Sequence, residues 1–310
     1  MTPLDVTTLH ADLCGRTARQ QREAVIRIAL RACASLSILV SALIVLSLVR
    51  EAWTFVSQVE WSALVEDGWF PRRGIYDIRT LLVGSLLVTA IAMVVAIPLG
   101  LGTAVFLAEY APPLARRILK PALEVLAGIP SVVVGFFALT WISPEVVQRL
   151  RDGTPQSNVM AAAIGVGILT IPLVASISED AMRAVPPSLR EASYGMGARK
   201  LTTTVRVVIP AAVSGLVAAF IVAVSRAIGE TMVVFIAAGA TGGSLFTMDP
   251  FEPGQTMTAA MAAQAAGTDA VRGAALTFQS LFFVGLLLFL ITLALNLMAN
   301  RFVRRVRQQY

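Results

Sequence analysis

Six runs of apolar residues separated by polar stretches organise the chain: Ile28–Val49, Leu81–Ala108, Pro121–Ile142, Val159–Ile177, Ala211–Ala240 and Leu276–Ala299. A bilayer core about 30 Å thick is crossed by roughly 20 apolar residues of helix, so each run is long enough to span a membrane. The pattern predicts an all-α, polytopic integral membrane protein with six transmembrane helices. Pro98, in "IPLGLG", and Pro130, in "GIPS", each remove a helix hydrogen bond, so the second and third helices are expected to bend there. Bent helices at membrane depth line a cavity or pack on a neighbour rather than face lipid. The chain divides into a basic tail (1–27), a first membrane helix (28–49), a loop (50–80), a core of five further helices (81–300) and a second basic tail (301–310).

Composition agrees with the pattern. Of 310 residues, 56% are hydrophobic and only 14% charged, with a mean hydropathy of +0.76; a soluble domain carries about a quarter charged residues. The distribution of charge gives the orientation. Seventeen Lys and Arg fall in the two tails (with Arg31, just inside the first apolar run) and in the loops around Arg116–Lys120 and Arg183–Arg206, against seven in the alternate loops (Arg50, Arg72, Arg73, Arg79, Arg149, Arg151, Arg272). Those alternate loops also hold ten acidic residues, against eight on the basic side. Both termini are therefore expected in the cytoplasm, and the isoelectric point near 10.0 reflects that inner-face excess, not a nucleic-acid partner.

The first 27 residues are mostly polar and no small-residue cleavage site follows the first apolar run, so no cleavable signal peptide is expected. The basic tail either rests on anionic lipid or is a solvated topology determinant. Cys14, on the cytoplasmic side, and Cys33, at the inner end of the first helix, are not placed to form a disulfide.

Enzyme signatures are missing. The single histidine, His10, lies in the tail, which leaves no His-based metal site or catalytic triad in the membrane. No Gly-Lys dipeptide occurs, hence no phosphate-binding loop of the G-x-x-x-x-G-K-[ST] type. No cofactor or metal is called for, and if the chain drives anything uphill, the energy is expected to come from elsewhere.

The loop before the fifth helix, residues 186–210, reads "PPSLREASYGMGARKLTTTVRVVIP". Ser188 and Glu191 fit a capping box, and Pro186 and Pro187 keep the preceding chain from being helical. A short helix is expected from Leu189 to Gly195 or Gly197, where glycine can adopt a left-handed turn. A second helix should climb from Leu201 toward Pro210. The product is a helix–turn–helix knob.

At their spacing, Glu191, Ala192, Ser193, Gly197 and Val207-Val208-Ile209-Pro210 resemble the EAA loop of ABC importer permeases, with Ser193, Val207 and Ile209 as departures of small size. That resemblance implies the type I permease fold and a short helix that docks in a groove of a separate ATPase subunit. A narrower resemblance covers most of the chain beyond Leu81. "IPLGLGTAVFLAEYAP", "LEVLAGIPSVVVGFFAL" and "SRAIGETMVV" look like the permeases of the phosphate-specific ABC importer, and the last matches the PstC type better than the PstA type. Val134 departs from the pattern, standing where such proteins often have Tyr. The resemblance implies a half-pore passing inorganic phosphate inward. Its implied partners are a PstA-type permease, two ATP-binding subunits and an extracytoplasmic binding protein.

Arg226 and Glu230 fall within the fifth run, with Arg226 near its centre. Charges at mid-bilayer cost several kcal/mol. At a spacing of four on one helix they would share a face about 6 Å apart, and two readings are open. One is a structural ion pair. In the other, Arg226 faces the path and offers a planar fork to phosphate oxygens, Glu230 orients it, and Thr231 adds a hydroxyl beside Gly229. Ser131, at the Pro130 bend, either lines the same path or bonds its own backbone. Glu109 and Tyr110 are read as settling the membrane interface. Arg72, Arg73, Arg79, Asp249, Glu252 and Asp269 either meet a docking protein or are solvated. Alternative functions are a permease for sulfate or molybdate, or an ATP-independent carrier or channel with an Arg226–Glu230 charge relay; an ATPase socket on the EAA loop discriminates against the carrier.

Overall fold

The computed structural model describes residues 17–64, 67–239, 242–266 and 276–306; His10, Cys14, Arg16, Asp269, Arg272 and Arg307 lie outside the described residues. The chain divides into two compact units, residues 1–51 and 52–310. Among the described residues, six helices are long and apolar enough to cross a membrane.

Helix α1 runs from Thr17 to Gln58, well beyond both ends of the apolar run Ile28–Val49, because no Gly or Pro occurs between Gly15 and Gly68. In the first unit its apolar side chains, among them Leu36, Ile38 and Leu46, are exposed, as is the free thiol of Cys33.

The second unit begins with the last turns of α1, whose Phe55 packs edge-on against Tyr76. Strands β1 (Trp69–Phe70) and β2 (Ile75–Tyr76) pair antiparallel, Trp69 opposite Tyr76. Asp77 then starts α2 (Ile78–Tyr110): its carboxylate accepts from the Arg79 N–H at 3.0 Å and the Thr80 hydroxyl at 2.7 Å. Burial pushes the Asp77 carboxyl up, but the hydrogen bonds from Thr80 and Arg79 outweigh it and hold the group below the usual carboxylate range.

The two prolines behave differently. Helix α2 continues unbroken through Pro98. At Pro130 the chain leaves the helical path altogether, and Gly128, Ile129 and Pro130 separate α3 (Pro113–Ala127) from α4 (Ser131–Leu150). The third membrane helix is therefore Ser131–Leu150, not the run Pro121–Ile142. Residue 129 precedes a proline and is disfavoured in a helix, so the apolar run sums parts of two helices. Helix α3 is amphipathic and contains no buried residue; Leu114, Ile118 and Val125 share its exposed face.

Helix α5 (Val159–Arg183) is the centre of the core, with Ala161, Ala162, Ala163, Val166 and Val174 fully buried. Small residues let α2 and α5 approach closely. A methyl group on Gly100 would lie 2.6 Å from Val174 Cβ, and one on Gly167 would lie 3.0 Å from the Ala92 carbonyl oxygen. Asn158 caps α5, its Oδ1 accepting from the Ala161 N–H at 2.8 Å while Nδ2 donates to Ser143 Oγ at 2.9 Å.

After α6 (Pro187–Gly195), helix α7 runs from Lys200 to Ile228. The fifth run, Ala211–Ala240, is thus not one helix. It breaks at Gly229–Thr231 and resumes as α8 (Met232–Ala237). Helix α9 (Met257–Ala266) and α10 (Thr277–Val306) complete the unit.

Candidate functional site: the loop knob and the broken helix

Helix α6 begins at Pro187, with Pro186 as its N-cap, and no side chain caps it. The Ser188–Glu191 box does not form, because the helix starts two residues early and places Ser188 inside the first turn. Proline at that position has no N–H to satisfy and a φ already suited to helix. Glu191 and Ala192 are exposed. Gly197 ends the helix in the left-handed region at φ +77°, with its N–H donating to the Tyr194 carbonyl and the Ala198 N–H donating to that of Ser193. Ser193 supplies what alanine cannot: its hydroxyl meets that of buried Thr203 at 2.8 Å and ties α6 to the start of α7. Helix α7 does not stop at Pro210. A π-helical segment, Thr204–Val208, precedes it, and Pro210 falls in the first turn of the α-helix that resumes at Ile209.

Two ion clusters, joining residues 60 to 81 positions apart, hold this end of the bundle. Sequence reading missed both. The carboxylate of Glu179, with no exposed surface, receives Arg116 and lies 3.0 Å from Lys120 Nζ, which also bonds Asp180 at 2.8 Å. Bonding to Asp180, and then to Glu179, pushes the Lys120 ammonium above the ordinary lysine range. Helix α3 thus turns its basic face inward and leaves its apolar face outward. In the second cluster, Glu109 pairs with Arg190 of α6. The only hint in the sequence is charge: acids at the ends of two apolar runs with Arg and Lys in the loops between.

At the broken helix, Arg226 lies in the last turn of α7 and Glu230 beyond its end. They form no ion pair among the described residues. The helix stops at Ile228, which destroys the four-residue register that would put both on one face. Arg226 is exposed. Glu230 instead turns to α8, where Oε1 accepts from the Val233 N–H at 3.4 Å, and its carbonyl oxygen accepts from the Thr258 hydroxyl at 2.8 Å. Thr231 bonds the Gly229 carbonyl at 3.3 Å. Beside Arg226, the buried hydroxyl of Ser225 finds no partner among the described residues. Ser131, half-buried, opens α4. That helix packs on α8, since a methyl on Gly135 would lie 3.1 Å from Ile236 Cδ1 and 3.2 Å from the Met232 carbonyl oxygen. The turns that start at Ser131 and at Met232 therefore belong to one packed pair.

Residues 96–308 match the family described as binding-protein-dependent transport system inner membrane component. The chain belongs to that family. This permease is 35% identical over 253 residues to the probable ABC transporter permease protein YqgH of Bacillus subtilis, covering 79% of this chain and 80% of that one. It is 31% identical over 302 residues to the phosphate transport system permease protein PstC of Mesorhizobium japonicum, covering 92% and 90%. In fold it resembles an inward-facing MetNI methionine ABC transporter chain, with a TM-score of 0.53 at 18% identity over 80% of this chain and 98% of that one. The protein is thus a multi-pass membrane permease of the ABC importer class, with the type I fold.

Proposed function

We propose that this permease forms half of the pore of an ATP-driven importer that moves inorganic phosphate into the cytoplasm across the inner membrane. The observation that carries the reading is Arg226, an exposed guanidinium without an ion-pair partner among the described residues, at the break of a membrane-spanning helix. A guanidinium there presents a planar donor fork to an oxyanion, and relatives named for phosphate transport align over most of the chain. Glu230, Thr231 and Ser131 are the other groups proposed to line the path. The second half-pore is a PstA-type permease, an extracytoplasmic binding protein delivers the ion, and two ATP-binding subunits hydrolyse ATP, this chain having no nucleotide site of its own. The knob, with Glu191, Ala192, Ser193, Gly197 and Pro210, is the ATPase socket, and both termini are cytoplasmic.

Uptake of labelled phosphate into membranes holding the assembled complex, with sulfate and molybdate as competitors, tests the reading. Sulfate or molybdate uptake with none for phosphate reassigns the substrate, and phosphate uptake without the ATP-binding subunits makes the chain a carrier.

The socket has its own test. At Gly197 a new Cβ would meet no atom within 4 Å, so the first cost of Gly197→Val is the left-handed backbone, roughly 1–2 kcal/mol. The expected outcome is a normal membrane level with weakened retention of the ATP-binding subunits on co-purification. Undiminished retention would remove this turn from the socket.

A further inference from the structure

The knob is joined to the rest of the permease by more than its two connecting segments. Arg190, in the middle of α6, makes four hydrogen bonds with three groups. Nε and Nη2 donate to Glu109 Oε1 at 3.2 and 2.9 Å, Nη1 to the Val185 carbonyl at 2.7 Å and Nη2 to the Met182 carbonyl at 2.8 Å. Glu109 belongs to the last turn of α2, and Met182 and Val185 to the end of α5 and just beyond it. The side chains are 18% and 5% exposed, so water competes little for this contact. The last carbonyls of a helix are free to accept bonds from outside it, and the guanidinium adds one to the Met182 carbonyl, which also accepts from the Val185 N–H at 3.3 Å. A second contact runs parallel to the first, with Lys200 Nζ, at the start of α7, 5.0 Å from the centre of the Tyr110 ring.

The last turn of α2 is also unusual. Residues Phe106–Tyr110 form a π-helical turn, closed by the Ala111 N–H donating to the Phe106 carbonyl at 2.7 Å. Such turns occur mostly as single-turn insertions, often at functional sites. The exposed part of α6, Glu191 and Ala192, lies next in sequence to Arg190, so a partner that grips the exposed side pulls directly on a residue anchored to two membrane helices.

We propose that Arg190 is a positioning residue that transmits displacement of α6 to the ends of α2 and α5 together, with Glu109 as its counterpart. A planar fork suits the task because its donors are fixed relative to one another: the three acceptors must move as a set or the bonds are lost. The inference rests on α6 being the ATPase socket, and it assigns to Arg190 the step after docking.

The test uses the full complex with its ATP-binding subunits, partner permease and binding protein. Co-purification of the ATP-binding subunits reports docking, and the ratio of binding-protein-stimulated to basal ATP hydrolysis reports transmission. Arg190→Ala and Glu109→Ala approach the contact from two different helices. Both are expected to retain the ATP-binding subunits while the stimulation ratio falls about tenfold, a usual size for coupling between sites. Glu109→Gln, which keeps an acceptor oxygen for the fork, should preserve most of the stimulation, and Arg190→Lys should preserve less. Should Arg190→Ala fail to reach the membrane, Glu109→Ala and Arg190→Lys carry the comparison. Full stimulation in either alanine variant overturns the proposal. So does loss of the ATP-binding subunits from either one, which would make the contact part of docking. If the unaltered permease retains no ATP-binding subunits, the socket reading itself has failed, a result distinct from either.

Discussion

Membranes carrying Arg226→Ala are expected to take up phosphate at or near background while the variant permease accumulates at its normal level. The two halves of that expectation have separate causes. Arg226 is exposed and pairs with no carboxylate among the described residues, so its removal strands no buried partner and the fold is kept. A fork that gives two charge-assisted hydrogen bonds to an oxyanion, at roughly 1.5–3 kcal/mol each, contributes about 3–6 kcal/mol at that step. Its loss corresponds to at least about a hundredfold in rate or affinity. Arg226→Lys should recover little, because a point charge cannot reproduce planar two-point donation. Glu230→Gln is a milder change, since its remaining side-chain oxygen can still accept from the Val233 N–H; transport should fall without vanishing. Near-normal uptake by Arg226→Ala would take that residue out of the path.

The second large effect is expected on stability. Glu179 is fully buried and receives Arg116 and Lys120 from α3. Lys120 keeps Asp180 when Glu179 is lost, but among the described residues Arg116 has no second carboxylate. Breaking a buried pair from one side costs about 3–5 kcal/mol because a charge is left uncompensated. Glu179→Ala should therefore lower the melting temperature of the solubilised protein and free α3, exposing the bonds after Arg116 and Arg117 to trypsin. Glu179→Gln should be intermediate, keeping a hydrogen-bond acceptor without the charge. The double change Glu179→Leu with Arg116→Met should recover part of the loss, since the stranded guanidinium is then absent. Unchanged trypsin resistance in Glu179→Ala would show that α3 is held by other contacts.

Between them these two sites mark what a linear reading can and cannot reach. Hydropathy set the number of membrane helices, because the length of an apolar run is a local property that the bilayer itself imposes. The turn at Gly197 was legible for a similar reason: a left-handed residue that ends a short helix needs only its neighbours to be specified. The EAA spacing and the long apolar fragments carried the family.

Local pattern failed where two helices share one apolar run or where a charge finds its partner far along the chain. Pro121–Ile142 looked like one helix because averaging ignores the break at Pro130, and Ala211–Ala240 hid the interruption at Gly229–Thr231 in the same way. The four-residue spacing of Arg226 and Glu230 promised a pair only while the helix was assumed continuous. The contacts Arg116–Glu179 and Arg190–Glu109 join residues 63 and 81 positions apart. No periodicity encodes them, because they exist only once α2, α3, α5 and α6 meet at one end of the bundle. The sequence alone determined that the chain crosses a membrane six times and carries a family loop. Tertiary packing decided which charges are satisfied, and it leaves Arg226 without an ion-pair partner among the described residues, since low-dielectric burial makes each such pairing depend on neighbours that only the folded chain supplies.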